Sequence, residues 1–313
     1  MSARSPEAET LSPFVIARAF VVAVERVSPT FARITFGGTE LDDFGTPGAV
    51  LDQRIKLIFP APGRPLPTLA QGDWYQNWLA VPEDARGSMR TYSIRSLDVS
   101  PVDTTVVIDF VLHLEPGLTG PAATWASQAS VGDELLVIGP RRGRPGGGGI
   151  EYSPGDAREI LLAGDETAAP AIARILEDVA ADVRGTVFIE VPHADDILPI
   201  AAPAGVAVRW LPRSGASHGE VLIPTVLAHL GDIVDTIEIR DADTENPLWE
   251  TPQYSELGES LDAGGAHGDR YFWIAGESGV VTTLRRHLVK DLGIDRTQVA
   301  FMGYWRKGVA MRG

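Results

Sequence analysis

The spacing of apolar residues changes near residue 150, and this change limits the folds open to the chain. Before the Gly- and Pro-rich stretch RRGRPGGGG (141–149), short runs of β-branched side chains are separated by Pro, Gly and Asp. After it, such runs alternate with segments of helical period. The first pattern is typical of an antiparallel barrel, and the second of a parallel sheet with crossover helices. The sequence therefore predicts two domains of different architecture.

The length of 313 residues suits two domains, and the Gly-rich stretch marks their boundary. We predict a disordered lead over residues 1–13, a six-stranded antiparallel β-barrel over 14–150, and a parallel-sheet α/β domain over 151–313. The barrel prediction rests on five segments: AFVVAVERVSPTFARITFGG, RIKLIFP, MRTYSIRS, TTVVIDFVLHL and DELLVIGP. The α/β prediction rests on the strand EILLAGD, the helix DETAAPAIARILEDVAADV and later pairs, including the strand TIEIRD (236–241). The acidic stretch 241–269 is predicted to be an inserted loop.

Composition excludes several classes of function. The absence of cysteine rules out disulfides, thiolate metal centres, iron–sulfur clusters and cysteine nucleophiles. The formal net charge is −15, and residues 151–313 carry 26 acidic against 14 basic side chains, so nucleic acid and anionic lipid would be repelled. No run approaches the roughly 18 apolar residues that span a bilayer, and the N-terminus has no apolar leader. We therefore expect a cytoplasmic protein without membrane insertion, and a monomer by default.

The stretch RTYSIRS (90–96) is the first candidate binding element. Alternation along a strand sends Arg90, Tyr92 and Ile94 to one face. Arg90 can hold a phosphate through a forked contact, and Tyr92 can stack on a flat ring. Ser93 can form a hydrogen bond with a ring nitrogen. An ordinary solvent-facing strand is the alternative interpretation of this stretch taken alone.

A second candidate element is the predicted helix that begins at Gly120-Pro121. Proline suits the first position of a helix, and the free N–H groups of Ala122, Ala123 and Thr124 would then point at an anion. A capped structural helix explains the same residues equally well. His113 is singled out among six scattered histidines because it lies on the strand before this turn, and none of the six has a tight metal-binding spacing.

Two further candidates lie where predicted strands end in glycine and helices begin. These are Gly164 followed by Asp165 and Glu166, and Gly276 followed by Glu277. Ligands bind at such strand ends in doubly wound sheets, although G-x-G-x-x-G is absent and the acids would oppose a phosphate. Capping of the first helix by Asp165 and Glu166 is the alternative, and Ser278 is the predicted N-cap of the second. GESGV also lacks the last glycine of a nucleophile elbow, which argues against a hydrolase.

The segment GYWRKG near the C-terminus combines aromatic and basic side chains. Tyr304 and Trp305 stand beside Arg306 and Lys307. The segment is either an aromatic wall with cations near a cleft or a last strand with a basic tail.

With these segments in order, the chain resembles the siderophore-interacting proteins, flavin-dependent ferric-siderophore reductases related to the ferredoxin–NADP reductases. The matching segments span nearly the whole chain: RTYSIR, DFVLHLEPGLTGPAATWA, GDETAAPAIARILE, DADTENPLWETP, AGESGVVTTLRRHLVKDLG and GYWRKG. The sequence departs from the family pattern in two places. The turn after VIGP is lengthened to RRGRPGGGG, and serine replaces the more usual threonine at Ser93.

The resemblance implies a six-stranded FAD-binding barrel followed by an NAD(P)H-binding α/β domain. It implies that FAD is bound through the flavin strand and the helix that follows, by Arg90, Thr91, Tyr92, Ser93, His113, Ala122, Ala123, Thr124 and Trp125. It also implies that the nicotinamide nucleotide lies at the strand ends, lined by Asp165, Glu166, Thr167, Gly276 and Glu277. Tyr304 and Trp305 complete the candidate cofactor-binding set.

The reaction implied by the resemblance is transfer of electrons from NADH or NADPH through FAD to Fe(III) in a ferric siderophore. The iron stays in the siderophore, so no protein ligand to it is required. Ferric siderophores are often anionic, and a local cationic rim would attract them. We nominate Lys56, Arg141 and Arg306 for this rim, with Arg54, Arg142 and Lys307 in reserve. Arg213 is a candidate contact for the 2′-phosphate of NADPH.

Three alternatives remain open at this level. A ferredoxin can replace the nicotinamide nucleotide as electron donor, although the acidic second domain would repel an acidic ferredoxin. A non-catalytic siderophore-binding module would bind its ligand without turnover. A flavin reductase for another electron acceptor would share the cofactor site and differ only at the acceptor site.

Overall fold

A computed structural model of the chain describes residues 11–46, 48–100, 103–114, 119–231, 239, 248–251 and 269–308. Two β-sheets form its frame, one in each half of the chain. The first sheet has seven strands: Phe14–Arg26 (β1), Phe31–Gly37 (β2), Arg54–Phe59 (β3), Ser88–Ser93 (β4), Ser96–Val99 (β5), Thr104–Val111 (β6) and Glu134–Pro140 (β7). Their order is β4-β3-β7-β1-β2-β6-β5, and every pairing is antiparallel.

The chain turns from one edge of this sheet to the other between β4 and β5. The amide of Ile94 donates to the carbonyl of Gln53 before β3, and the amide of Arg95 donates to the carbonyl of Val107 in β6, both at 2.9 Å. The predicted strand MRTYSIRS is therefore divided in two, which accounts for seven strands where six were expected. The edge strands β4 and β5 are separated in the chain by Ile94 and Arg95 alone. The two edges of the sheet therefore lie close together, and the sheet curls around a common core.

Alternate side chains of the curled sheet fill that core. Phe36, Phe44 and Phe110 are completely buried in it, together with the small residues Ala17 and Ala19 of β1. Two helices accompany the sheet, Trp74–Ala80 (α1) and Pro121–Gln128 (α2). Helix α2 contributes buried alanines to the same core, so it covers the open side of the curl.

Within the described residues the second sheet has six strands: Glu159–Gly164 (β8), Arg184–Val191 (β9), Gly205–Pro212 (β10), Trp249–Glu250 (β11), Arg270–Glu277 (β12) and Val299–Trp305 (β13). Their order is β10-β9-β8-β12-β13-β11, parallel except for the edge strand β11. Three helices follow its strands: Ala169–Asp178 (α3), Leu222–His229 (α4) and Ser278–Arg285 (α5). Apolar clusters lie on both faces of the sheet, one with α3 and the other with α4 and α5. The predicted fold class is confirmed.

The helix expected over 165–183 is shorter than its periodicity suggested. The carbonyl of Asp165 accepts from the amides of Ala168 and Ala169, which makes a turn before α3 begins. Val179 is extended and ends the helix. Most of the predicted strand 236–241, all except residue 239, and most of the predicted insertion 241–269 lie outside the described residues. Within the described ranges, no helix is long and apolar enough to cross a bilayer.

The two sheets are joined by an apolar contact and by hydrogen-bonded carboxylates. Phe31 of β2 is completely buried among the side chains that pack on α3. Asp52, before β3, accepts from the indole Nε1 of Trp273 in β12 at 2.9 Å. Asp178, at the end of α3, accepts from the amides of Val50 and Leu51 at 2.7 and 2.8 Å.

Asp196 is completely buried, as is Asp52. It accepts from the hydroxyl of Ser28 at 2.7 Å and from both the amide and the hydroxyl of Thr30 at 2.8 Å. Ser28 and Thr30 lie in the turn between β1 and β2, whereas Asp196 follows β9. Buried acceptors of this kind fix the orientation of the two sheets, since separating them would leave several buried donors without partners.

Candidate functional site

Strand β4 directs Arg90 and Tyr92 toward the core side of the curled sheet. Their paired residues in the adjacent strand β3 are Leu57 and Ile55, which are both core residues. The centroid of the Tyr92 ring lies 4.6 Å from that of Phe110. Burial raises the pKa of the Tyr92 hydroxyl above its ordinary value, so it stays protonated at neutral pH. As alternation predicted, Arg90 and Tyr92 lie on the same face of the strand.

The guanidinium of Arg90 is half-buried, and no ion pair joins it to another described residue. Its hydrogen bond goes to the carbonyl of the adjacent Met89, at 2.6 Å from Nη1. Among the residues that the structure describes, no carboxylate lies within 4.0 Å of it. Burial lowers the pKa of Arg90 from its ordinary value. A half-buried cation in this state is a binding position for an anion.

The first turn of α2 also lacks negative charge. Gly120 begins the helix without a side-chain hydrogen bond, Pro121 follows, and the turn contains no acidic residue. Ala122 and Ala123 are buried, and the exposed Thr124 donates its hydroxyl to the carbonyl of Gly120 at 3.0 Å. The N–H groups of this turn therefore face no capping side chain, which suits an anionic ligand.

Trp125 fixes α2 to the barrel. Its ring centroid lies 5.2 Å from that of Phe59 and 6.2 Å from that of Phe110. Because Tyr92 packs on the same Phe110 ring, the tyrosine of β4 and the tryptophan of α2 share one aromatic cluster. The predicted members Arg90, Tyr92 and Trp125 thus lie on one side of the sheet.

Thr91 and Ser93 lie on the opposite face. The pairing of β3 with β4 is regular from Ser88 to Ser93, so no bulge brings Ser93 to the side of Tyr92. The exposed Thr91 accepts a hydrogen bond from Nζ of Lys56 at 2.7 Å. The side chains of Thr91 and Ser93 therefore point away from the ring of Tyr92, and only their backbone atoms lie beside that residue in the strand.

A second group of predicted residues meets at the carboxyl ends of the parallel strands. Glu166 is completely buried beyond β8, with Oε1 at 2.9 Å from Nε2 of His113 and 3.2 Å from Nε2 of His218. Arg213, after β10, donates to its two oxygens at 2.7 and 3.0 Å. Burial opposes ionisation of Glu166, but these donors outweigh it and hold its pKa well below the ordinary value. The same environment raises the pKa of His113, against the effect of burial.

Asp165 joins the ends of β8, β12 and β13. Its Oδ2 accepts from the amide of Glu277 at 2.7 Å and from Nε1 of Trp305 at 2.9 Å, and its Oδ1 accepts from the amide of Thr167 at 2.9 Å. Gly276 has φ of 139°, and a Cβ there would lie 2.7 Å from the Asp165 carboxyl. Glycine is therefore required at 276 for this close approach.

Glu277 caps helix α5. Its Oε2 accepts from the amides of Gly279 and Val280 at 2.7 and 3.0 Å. Side-chain capping is therefore observed at Glu277, whereas α3 has Ala168 at its N-cap and no side-chain cap, so the capping expected of Asp165 and Glu166 is not found. A phosphate at the start of α5 would have to displace the Glu277 carboxylate.

The two aromatic residues of GYWRKG diverge. Trp305 lies among the predicted site residues, with ring centroids 5.4 Å from His113 and 4.8 Å from His218. Tyr304 packs instead on Trp249 of β11, at 6.1 Å, and on Trp273. Only Trp305 belongs to the cluster at the strand ends.

Arg141 and Arg142 are engaged inside the barrel domain rather than at an open rim. Arg141 is 8% exposed and its Nη1 lies 2.7 Å from Asp43. Arg142 donates to the carbonyl of Phe44 at 3.1 Å and to the hydroxyl of Thr104 at 2.6 Å. These contacts attach the 141–149 loop to the sheet, so we leave both arginines out of the substrate rim.

Of the other nominated cations, Arg54 is also engaged. It forms an ion pair with Glu151 and lies 4.0 Å above the ring of Trp249. Lys56 is half-exposed, and no carboxylate lies within 4.0 Å of it among the described residues. Burial and the charge of Arg54 lower the pKa of Lys56.

His218 is not among the residues predicted from the sequence, and Arg213 has a different role from the predicted contact with a 2′-phosphate. Arg213 is 8% exposed and directed at Glu166, so it is not available to a 2′-phosphate. His218 lies in the loop after β10, 105 positions from His113, and no short spacing relates the two. The signal that would have found it is topological, because loops after parallel strands meet at one edge of the sheet.

Comparison with known proteins agrees with this arrangement. A family model described as a siderophore-interacting FAD-binding domain matches residues 20–144, and one described as a siderophore-interacting protein matches residues 157–308. Fold and matches together define a two-domain protein in which an FAD-binding antiparallel barrel precedes a nucleotide-binding α/β domain. The chain belongs to the siderophore-interacting protein family.

Two curated relatives cover almost all of the chain. The ferric vibriobactin reductase ViuB of Vibrio cholerae is 28% identical over 287 residues, 90% of this chain and 86% of that protein. The NADPH-dependent ferric-chelate reductase of Escherichia coli is 28% identical over 292 residues, 91% of each chain. The crystal structure of a siderophore utilization protein from T. fusca superposes with a TM-score of 0.67 at 28% identity, covering 96% of each chain.

Proposed function

We propose that this chain is an FAD-dependent reductase that transfers electrons from NAD(P)H to Fe(III) in a ferric siderophore. The proposal assigns FAD to residues 14–150 and the nicotinamide nucleotide to residues 151–313. The observation that carries it is the half-buried Arg90 guanidinium, which has no carboxylate partner among the described residues and stands in a domain matched by an FAD-binding model. The names of the two reductase relatives support iron in a chelate as the electron acceptor.

The residues on the barrel suit FAD. Arg90 and the open first turn of α2 provide positive charge and N–H donors for a pyrophosphate. Tyr92, backed by Phe110, provides a neutral aromatic surface for a flat ring. Bound FAD would supply the redox chemistry, since a flavin takes up two electrons as hydride and can release them singly.

On the nucleotide side, we propose that Thr167 and the backbone at Gly276 and Glu277 line the binding place. Trp305 closes it on one side, held by its hydrogen bond to Asp165. Arg213 does not favour NADPH over NADH, because Glu166 occupies its guanidinium. The NADPH dependence of the Escherichia coli relative favours NADPH. The proposal includes a monomer acting in the cytoplasm, where nicotinamide nucleotides are plentiful.

The reductase assignment is tested on protein purified with its flavin. We expect yellow protein, bleaching by NADPH under anaerobic conditions, and stoichiometric Fe(II) trapped by a ferrous chelator once a ferric siderophore is added. Faster bleaching by reduced ferredoxin would identify a different donor. Bleaching without Fe(II) would point to another acceptor, and siderophore binding by a colourless protein would contradict the proposal.

Lys56 and Arg306 are the proposed substrate-facing cations, with Lys307 beside them. Replacing Lys56 with Gln is expected to raise the KM for an anionic ferric siderophore about threefold to tenfold, because one charge at a partly solvated rim contributes about 1 kcal/mol. The flavin spectrum and kcat should be unchanged, which steady-state kinetics would show. Arg64→Gln is the control, since it removes an exposed charge paired with Asp84. Equal KM values for both variants would exclude Lys56 from the rim.

A further inference from the structure

We propose that His113, His218 and Glu166 form a binding site for a divalent first-row transition metal ion at the junction of the two domains. His113 follows β6 of the barrel, whereas Glu166 and His218 belong to the α/β domain. The site goes beyond the proposed reduction, which needs no iron ligand from the protein.

The three ligand atoms are placed for a common ion. Nε2 of His113, Nε2 of His218 and Oε1 of Glu166 all lie within 4.8 Å of one another. The two nitrogens are 2.9 and 3.2 Å from the oxygen. Ligand atoms about 2.1 Å from a tetrahedral metal ion are separated by about 3.4 Å. Shifts of a few tenths of an ångström, together with a modest approach of the two imidazoles, would therefore complete three coordination positions.

The charge around the cluster favours a divalent cation. Asp165, Glu166 and Glu190 are at most 4% exposed and accept hydrogen bonds from donors of the described residues. Arg213 forms ion pairs with two of them, Glu166 and Glu190, within the described part of the chain. When all three carboxylates are ionised and both imidazoles are neutral, two negative charges exceed the charge of Arg213, and one divalent ion would balance them.

Arg213 acts as a positioning residue for this site. Its Nη1 and Nη2 donate to Oε2 and Oε1 of Glu166 at 2.7 and 3.0 Å, a forked contact that fixes the carboxylate beside the two imidazoles. Glu190 holds Arg213 in turn, at 3.5 Å, and is itself fixed by the amides of Gly219 and Leu222. Support of a ligand by a further shell of hydrogen bonds is usual in metal sites. The guanidinium charge would weaken binding, but Glu190 and Asp165 offset it.

The donor set indicates which ions would bind. Two imidazoles and one carboxylate suit Fe(II), Co(II) and Zn(II), and leave positions open for water. The side chains of His113 and His218 are 33% and 20% exposed, so an ion can enter from solvent. If the proposed function is correct, Fe(II) is the divalent ion that the protein itself generates nearby.

The site is tested by equilibrium dialysis of the FAD-loaded protein, free of any purification tag, against Co(II). We expect one Co(II) per chain, with affinity lowered at least tenfold in His113→Gln and in His218→Gln. Glutamine retains an N–H donor toward Glu166, so these variants keep the hydrogen bond. His229→Gln is the matched control, since His229 packs against Phe188 away from the cluster, and it should bind Co(II) normally.

Two further measurements make the outcome decisive. Because the ion would join the two domains, Co(II) should raise the melting temperature of the wild-type protein and of His229→Gln but not of the two cluster variants. Anaerobic Fe(II) should compete with Co(II) at the same site. Absence of Co(II) binding, or binding that all three variants share, would overturn the site. That result would leave the reductase proposal intact if FAD and siderophore reduction are normal, whereas a protein that binds Co(II) but not FAD would contradict the reductase proposal alone.

Discussion

Replacing Arg90 with Gln is expected to lower the affinity of the protein for FAD by about 100-fold. The guanidinium is half-buried, and its one hydrogen bond within the described residues goes to the carbonyl of Met89. A charge-assisted, forked contact to a phosphate contributes about 1.5–3 kcal/mol, and 100-fold corresponds to about 2.7 kcal/mol. The dissociation constant of FAD, measured by flavin fluorescence on apoprotein, checks this value.

Two companion variants show whether the loss arises from phosphate recognition. Arg90→Lys keeps the charge but not the fork, so its FAD affinity should fall between those of the wild type and Arg90→Gln. Arg95→Gln removes a nearby arginine whose guanidinium pairs with Glu177 at 2.6 and 2.9 Å, and it should leave FAD affinity within about twofold of wild type. If Arg90→Gln bound FAD as tightly as Arg95→Gln, the proposed position of the pyrophosphate would be wrong.

Replacing Asp196 with Ala is expected to lower the free energy of unfolding by about 3 kcal/mol. The completely buried carboxylate accepts from Ser28, from Thr30 and from the amide of His193. Without it, several buried donors between the two sheets lose their partner, and each such loss costs about 1–3 kcal/mol, partly relieved by entry of water. Urea denaturation followed by tryptophan fluorescence measures the change.

Asp195→Ala is the matched control for this prediction. Asp195 is the preceding residue and is exposed, so its removal should change the free energy of unfolding by no more than about 0.5 kcal/mol. Similar midpoints for Asp195→Ala and Asp196→Ala would mean that the carboxylate between the sheets does not hold them together. FAD content of the Asp196→Ala protein at low temperature would separate loss of stability from loss of the binding site.

The architecture could be predicted from the sequence because it follows from local periods. Alternation of period two before residue 141 and helical periodicity after residue 158 are properties of neighbouring residues. The division of MRTYSIRS into two strands was missed, because it depends on Ile94 and Arg95 bonding to opposite edges of the sheet. Such a choice between partners distant in sequence leaves no periodic signal.

The site could be predicted where a single strand or helix turn determined it. Alternation placed Arg90 and Tyr92 on one face, and the GP pair placed the start of α2. Arg141 was assigned to the rim because its contact with Asp43, 98 positions away, has no local signature. The partnership of His113 with His218 was missed for the same reason. Composition shows which side chains are present, but long-range packing decides which of them remain available to a ligand.

Three carboxylates between the sheets limit how the two domains can move relative to each other. Asp52, Asp178 and Asp196 connect the domains at three separate places, each through hydrogen bonds to backbone or indole donors. A hinge motion would have to break all three sets together, so cleft opening by movement of whole lobes is energetically disfavoured. If the proposed function is correct, we therefore expect gating of nucleotide and iron-chelate exchange to come from individual side chains and loops.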